Sequence, residues 1–285
     1  MKKTKIKSYC KINLTLRVIK KLNNGYHEIK SLITFCDLFD MISISKTYKT
    51  KDEINFFGRF KKNINEQSNT ITKALHLLRK KKLIKNESYK ISVIKNIPHG
   101  SGLGGGSSNA ATILNYFNKK TGSKLSNSKM EKLAGQIGFD VPIVLKKKNT
   151  MLIGRKDKIL RLKQRFNLNI LIVYPNLICS TKEIYKSNKN INLNKIAFLK
   201  RNKKDLINYL KREKNDLEDS AVAIYPKIKK IINFIKSQKG CYLSRITGSG
   251  SACIGVFSNM RNAITAMKLI KLKHPRYWCV VSKTI

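Results

Sequence analysis

The residues best suited to chemistry lie in the run Pro98-His99-Gly100-Ser101-Gly102-Leu103-Gly104-Gly105-Gly106-Ser107-Ser108-Asn109-Ala110-Ala111-Thr112. Five of the chain's 15 glycines stand in it. Just upstream, Tyr89 to Ile94 alternates polar and apolar residues and reads as a strand; downstream, Asn109 to Phe117 reads as an amphipathic helix. A glycine-rich turn between a strand and a helix start leaves backbone N–H groups uncovered. The first N–H groups of a helix have no partner within it, and the helix dipole adds positive potential. Such a turn is built to bind a chain of phosphates. A flexible glycine hinge would not need Ser-Ser-Asn-Ala at the helix start.

Spacing separates the phosphate loops this sequence could be. Gly100-x-Gly102-x-x-Gly105 fits the dinucleotide pattern by letter. The acid expected about 20 residues later is missing, because Lys119 to Lys124 carries none and reads as no strand. Gly100-x4-Gly105 begins a Walker A loop, but Gly106 occupies the position of its lysine. No His-Arg-Asp or Asp-Phe-Gly element of a protein kinase occurs. Phosphoryl transfer to a hydroxyl also needs a carboxylate for the acceptor's proton and a cation for the charge. Acids are scarce, 16 Asp and Glu in 285 residues, so Asp140 in the uncharged run Gly138-Phe139-Asp140-Val141-Pro142 is notable. On residue context alone, Asp140 reads more readily as the turn residue ending a helix than as a base.

The loop resembles that of the GHMP small-molecule kinases. The resemblance extends over nearly the whole chain, through Lys11-Ile12-Asn13-Leu14, Asn24-Gly25-Tyr26-His27-Glu28, Glu66-Gln67-Ser68-Asn69, Gly138 to Pro142, Asn215-Asp216-Leu217-Glu218 and Arg245-Ile246-Thr247-Gly248-Ser249-Gly250. It implies an α+β, two-domain fold of mixed and antiparallel sheets with helices, and an active site in the cleft between domains. It implies ATP and Mg²⁺ as cofactors, Asp140 as the base, and Lys11 beside it as electrostatic partner. It implies that Pro98, His99, Gly100, Ser101, Gly102, Leu103, Gly104, Gly105, Gly106, Ser107 and Ser108 bind ATP, with Asn69 and Lys95 near the nucleotide. Lys11-x-Asn13 with Gly25-Tyr26-His27 is similar to the branch of the family whose acceptor is a cytidine diphosphate-linked methylerythritol. That branch phosphorylates its acceptor's 2-hydroxyl in the non-mevalonate route to isoprenoids. The branch implies Tyr26 and Tyr185 stacked on cytosine, His27 reading its edge, and Asn13 and Thr181 holding polar parts of the substrate. Thr247 to Ser251 matches the family's second glycine motif. His99, Ser101, Thr70 and Tyr185 depart from the residues common in relatives. No equivalent of the metal-binding glutamate of some members stands out, so the metal ligands are unassigned. The alternatives are a member acting on homoserine or mevalonate, which would not need Tyr26, His27 and Tyr185, or a basic nucleic-acid-binding protein.

The elements that must position these residues follow from periodicity. Lys3 to Val18 reads as one or two strands, Asn23-Asn24-Gly25 as a turn, and Glu28 to Asp37 and Met41 to Lys46 as antiparallel strands. Tyr48 to Ile64 reads as irregular and Thr70 to Lys82 as a helix. Ser128 to Glu131 reads as a capping box opening a helix that Gly138 ends. Asn167 to Tyr174, Ala252 to Phe257 and Tyr277 to Ser282 read as strands. Helices are expected near Lys182 and over Asp205 to Arg212, Pro226 to Gln238 and Met260 to Leu272. A boundary near Lys156 divides an N-terminal domain, residues 1–155, from a C-terminal one, residues 156–285.

Composition narrows the class. The chain is 41% hydrophobic and 27% charged, as a folded globular protein is. No apolar run is long enough to cross a membrane, and the basic N-terminus lacks a signal-peptide core. The six cysteines form no C-x-x-C pair and have apolar neighbours, as expected of buried thiols in a reducing cytoplasm. The expected partners are small molecules, with no specific nucleic acid and no membrane, and the expected state is a monomer or weak homodimer. The net charge of +44 is spread along the chain rather than gathered in a nucleic-acid motif. It still creates a field that draws polyanions toward the protein.

Overall fold

The computed structural model describes residues 3–23, 25–62, 64–85, 87–120, 125–154, 158–191 and 202–285. In chain order the elements are β1 (Thr4–Asn13), β2 (Arg17–Lys21), β3 (His27–Thr47), β4 (Glu53–Phe57), α1 (Thr70–Lys80), β5 (Ser88–Ile94), α2 (Gly105–Lys120), α3 (Asn127–Gly135) and α4 (Asp140–Val144). They continue with β6 (Thr150–Ile153), β7 (Lys158–Arg161), β8 (Asn169–Tyr174), α5 (Thr181–Ser187), α6 (Lys203–Arg212), α7 (Glu218–Ile224), α8 (Lys227–Lys236), β9 (Cys241–Ile246), β10 (Cys253–Phe257), α9 (Met260–Lys273) and β11 (Trp278–Lys283). The expected α+β class is what the structure has.

The chain falls into two compact units, interleaved in sequence. One holds residues 1–11, 38–99 and 104–147; the other holds 12–37, 100–103 and 148–285. The linear division at 155/156 cuts across this interleaving, and the boundary itself, with Lys156, lies outside the described residues, as does Asn24 of the expected turn.

In the first unit β5 pairs antiparallel with the C-terminal half of β3, Ile44 opposite Ile91, and parallel with β4, Ile54 opposite Ile91. Helices α1 and α2 pack on each other, and Tyr89 of β5 sets its ring edge-on to Phe117 of α2 at 4.7 Å. Asn69 caps α1, accepting from the N–H groups of Ile71 (2.9 Å) and Thr72 (3.1 Å). A cap of this kind is worth about 1 kcal/mol. The Thr70 hydroxyl donates to the Gly106 carbonyl at 2.7 Å, tying the start of α1 to the first turn of α2.

In the second unit four strands in the order β11-β8-β10-β9 form an antiparallel sheet. Leu171, Val173, Ile246, Cys253 and Phe257 pack there with Ile228, Ile231 and Ile235 of α8 and Ala263 and Ile270 of α9. The N-terminal half of β3 pairs with β2 and β6, and β6 with β7.

Several expectations are corrected. Residues 28–46 form one strand rather than two, because nothing from Leu38 to Asp40 breaks the extended backbone. The polar stretch after Tyr48 contains β4, whose Ile54 and Phe56 are buried. The cap of α3 is Ser126 instead of Ser128, and the helix ends at Gly135, before Gly138. Helix α2 starts at Gly105, four residues earlier than expected, so the last two loop glycines are its first turn.

Candidate active site

The loop takes the shape its glycines permit. Gly100, Gly102 and Gly104 have φ of +64°, +80° and +69°, a region that costs an L-residue about 1–2 kcal/mol. Space matters as much as backbone strain. A Cβ on Gly102 would collide with the Thr247 carbonyl oxygen, and one on Gly104 would lie 2.7 Å from Lys11 Cγ. After Gly104 the chain enters α2 directly, with Ser108 N–H donating to the Gly104 carbonyl at 2.9 Å. The first turn of α2 carries no acidic residue, so nothing there repels an anion. Leu103 is fully buried and anchors the loop, Pro98 and Ser101 are buried, and His99 and Gly100 are exposed. The Ser108 hydroxyl is buried with no hydrogen-bond partner. A buried orphan hydroxyl at a helix N-terminus is suited to a phosphate oxygen or its metal ion.

Lys11 and Asp140, 129 positions apart in sequence, are in contact. Lys11 Nζ lies 3.3 Å from Asp140 Oδ2. The lysine comes from β1 and its side chain is 5% exposed, whereas that of Asp140 is 42% exposed. Asp140 opens the short helix α4 rather than ending a helix, and Pro142 sits in its first turn, where the missing N–H is harmless. Lys11 runs along Gly104, so the cation that meets Asp140 also touches the glycine loop. A half-open carboxylate with an ammonium beside it can accept a proton from a hydroxyl while the cation orients it.

Asn69 and Lys95 stand close to the loop in a different way. The Asn69 side chain is engaged at both ends, its Nδ2 donating to the carbonyls of Asn65 (3.0 Å) and Glu66 (2.9 Å) while its oxygen caps α1. Lys95 is 3% exposed, pairs with Asp40, and donates to Asn109 Oδ1 at 2.9 Å. A Cβ on Gly105 would lie 3.4 Å from Lys95 Nζ, so this ammonium sits under the start of α2. Burial pushes its pKa down, and Asp40 opposes that shift.

In the second unit the His27 and Tyr185 rings are in contact at a tilt, centroids 5.0 Å apart and planes inclined by 35°. Tyr26 is 51% exposed on the turn that leads into β3. The His27 pKa is lowered by burial and by Lys21, which favours the neutral ring with one donor and one acceptor. The Thr181 hydroxyl, at the start of α5, is 2.8 Å from that of Ser249. Asn13 is buried, donates through Nδ2 to Ser31 Oγ at 2.8 Å and through its backbone to Thr247 Oγ1 at 2.9 Å. The second glycine motif is a tight turn, Gly250 N–H donating to the Thr247 carbonyl at 3.0 Å. It braces residues 100–103 through the Ala252 N–H, which donates to the Ser101 carbonyl at 3.1 Å.

Sequence reading missed the groups that hold these pieces. Asp40 and Asn109 lie under the loop. Asn215 donates from Nδ2 to the carbonyls of Ile246 (3.1 Å) and Gly248 (2.8 Å), fixing the second glycine turn. Arg245 is buried and donates to the carbonyls of Leu14 (3.0 Å) and Leu210 (2.7 Å), with its pKa lowered by burial to about 10. The family motifs contain Asn215 and Arg245, but only the contacts give them a task.

Residues 69–148 match the GHMP kinases N terminal domain and residues 195–269 the GHMP kinases C terminal domain. The chain belongs to the GHMP kinases. Among its relatives, a protein of Pelagibacter ubique named 4-diphosphocytidyl-2-C-methyl-D-erythritol kinase is 40% identical, with all of both chains covered. Its namesake in Caldanaerobacter subterraneus is 35% identical over 99% of this chain and 97% of its own. The crystal structure of 4-(cytidine 5'-diphospho)-2C-methyl-D-erythritol kinase superposes with a TM-score of 0.74 at 23% identity, covering 98% of this chain and 99% of its own. A homoserine kinase from Cytophaga hutchinsonii reaches 0.72 at 15% identity, covering 100% of this chain and 95% of its own, which speaks for the shared fold alone.

Proposed function

We propose that this chain is an ATP-dependent small-molecule kinase that phosphorylates the 2-hydroxyl of 4-diphosphocytidyl-2-C-methyl-D-erythritol in isoprenoid precursor synthesis. The full-length relatives of that name support the acceptor over homoserine or mevalonate. The observation that carries the chemistry is the Lys11–Asp140 pair at 3.3 Å, with Lys11 against Gly104.

In this reading the acceptor oxygen attacks the γ-phosphorus of ATP in line, its proton passes to Asp140, and ADP leaves. Lys11 keeps Asp140 aimed and stabilises charge that grows on the transferred group. The backbone N–H groups of the loop, with the Ser107 and Ser108 hydroxyls, hold the phosphates. The residues present fit such a group: the Ser108 hydroxyl is buried and unpartnered, and only glycines fit the turns. Among the described residues no cluster of three or more His, Cys, Asp or Glu side chains is placed to hold a metal ion. The Ser107 and Ser108 hydroxyls would hold Mg²⁺ beside the phosphates. When bound, it neutralises phosphate charge. Asn69 and Lys95 lie toward the nucleotide side. Tyr26, Tyr185 and neutral His27 take the cytosine, and Asn13 and Thr181 its polar attachments.

We also propose a cytoplasmic location, small-molecule partners only, and a monomer or weak homodimer. No helix among the described residues is long and apolar enough to cross a membrane. ADP release from Mg-ATP, measured separately with the cytidine compound, 2-C-methylerythritol 4-phosphate, homoserine and mevalonate, tests the assignment. Turnover with the cytidine compound alone is expected, and turnover only with another acceptor overturns it.

A further inference from the structure

One buried carboxylate grips both ends of the glycine segment. Asp40 lies within β3 and is fully buried. Its Oδ1 accepts the backbone N–H groups of Asn96 (2.8 Å) and Ile97 (2.9 Å), which lead into the loop. Its Oδ2 accepts from Asn109 Nδ2 at 3.0 Å, in α2 on the loop's far side. Lys95 pairs with Asp40 and donates to Asn109 Oδ1, and Asn109 Nδ2 also reaches Ser8 Oγ at 3.0 Å. The span from Pro98 to Ser108 thus has both footings on the same side chain.

We propose that Asp40 is a positioning residue for phosphoryl transfer, holding the glycine loop in its phosphate-binding shape through Asn96, Ile97 and Asn109. Five glycines in eleven residues give a segment that is costly to order, because glycine loses more backbone freedom than any other residue. Anchoring both ends removes most of that cost before a ligand arrives, so binding energy is not consumed in ordering the loop. Backbone donors aimed in advance also stabilise charge without reorganising. A backbone grip explains why a carboxylate is used: each oxygen accepts more than one bond, so one residue can clamp two separated stretches of chain. Lys95 is the counter-charge that allows this carboxylate to be buried, and its burial makes it dependent on Asp40 in turn.

The proposal rests on reading residues 98–108 as the phosphate cradle. Its test compares binding of ATP, inorganic tripolyphosphate and adenosine by calorimetry, alongside acceptor KM and thermal denaturation. Three variants of the full chain are used. Asp40→Asn keeps an acceptor for the two backbone amides but not for Asn109 and Lys95. Asp40→Asn with Lys95→Met removes the stranded cation. Asn109→Ala releases only the α2 footing and leaves the ion pair, so it keeps the test alive if the others do not fold. Each folded variant should bind ATP and tripolyphosphate about tenfold or more weaker, the scale of a misplaced binding group. Adenosine affinity and acceptor KM should stay within about twofold of wild type, which general loosening of the unit would not leave intact. Wild-type tripolyphosphate affinity in folded Asn109→Ala overturns the proposal, as does an equal loss for adenosine. Failure of the wild-type protein itself to bind tripolyphosphate overturns instead the reading of the loop.

Discussion

Two Lys–Asp pairs flank the same glycine loop, and they are built for opposite purposes. Lys11–Asp140 touches the loop at Gly104 and leaves 42% of the Asp140 side chain exposed. Lys95–Asp40 touches it at Gly105, and both side chains are sealed, 4% and 0% exposed. Asp40 spends its oxygens on two backbone amides, an asparagine and a lysine. A carboxylate so engaged has no lone pair to offer a substrate. Asp140, on a short helix at the surface of its unit, keeps that capacity. The same two residue types are therefore proposed as a base in one place and a clamp in the other, and hydrogen-bond occupancy is what separates them.

The contrast breaks most sharply under matched substitutions. Asp140→Asn should lower kcat by about a thousandfold, within the range of lost general-base catalysis, with the thermal midpoint unchanged. Asp40→Ala should instead cost about 3–5 kcal/mol of folding stability, because it strands the Lys95 cation, and denaturant unfolding measures it. Equal stability losses at the two positions would erase the distinction. Lys11→Met should reduce kcat by about a hundredfold with ATP affinity less affected, since its charge matters most as charge develops in transfer. Gly104→Ala comes next. It meets both an unfavourable φ of +69° and the Lys11 side chain, and should raise the KM for ATP about tenfold.

The smallest effect belongs to the second unit. His27→Ala should raise acceptor KM about tenfold, the worth of a hydrogen bond or two, and leave the KM for ATP alone. Its pH behaviour sharpens the assignment. The His27 pKa is lowered from 6.5 by burial and by Lys21, so the neutral ring persists below the ordinary imidazole range. Acceptor KM should be flat from pH 8 down to about 6.5 and rise only below it, as the ring gains a proton and loses its acceptor nitrogen. A rise centred above 6.5 would contradict that environment.

The candidate loop was legible in the sequence, for a physical reason. A phosphate loop needs glycine at set places, so Gly100 to Ser108 carry their own signal; Asp140 stood out as an acid in an uncharged run, though only the family pattern made it a candidate base. Lys11 did not; among so many lysines only the family pattern marked it. Asp40 was invisible because its partners, Asn96, Ile97 and Asn109, are brought to it by the pairing of β3 with β5 and by the packing of α2, which no local spacing reveals. Long periodic elements such as α1, α8 and α9 were readable, and β8 was marked by its unbroken apolar run. Five short ones were not: β4, β6, β7, β9 and α7 span at most seven residues each, too few for a period to emerge. The end of α3 went astray because Ser126 and Ser128 both suit a cap, and only backbone geometry chooses between them.

The most direct test of the account is the single-turnover rate of Asp140→Asn with saturating Mg-ATP and 4-diphosphocytidyl-2-C-methyl-D-erythritol. The account predicts a rate about a thousandfold below wild type, with both ligands still bound and the fold intact. A rate near that of wild type would show that Asp140 is not the base, whatever its place beside Lys11.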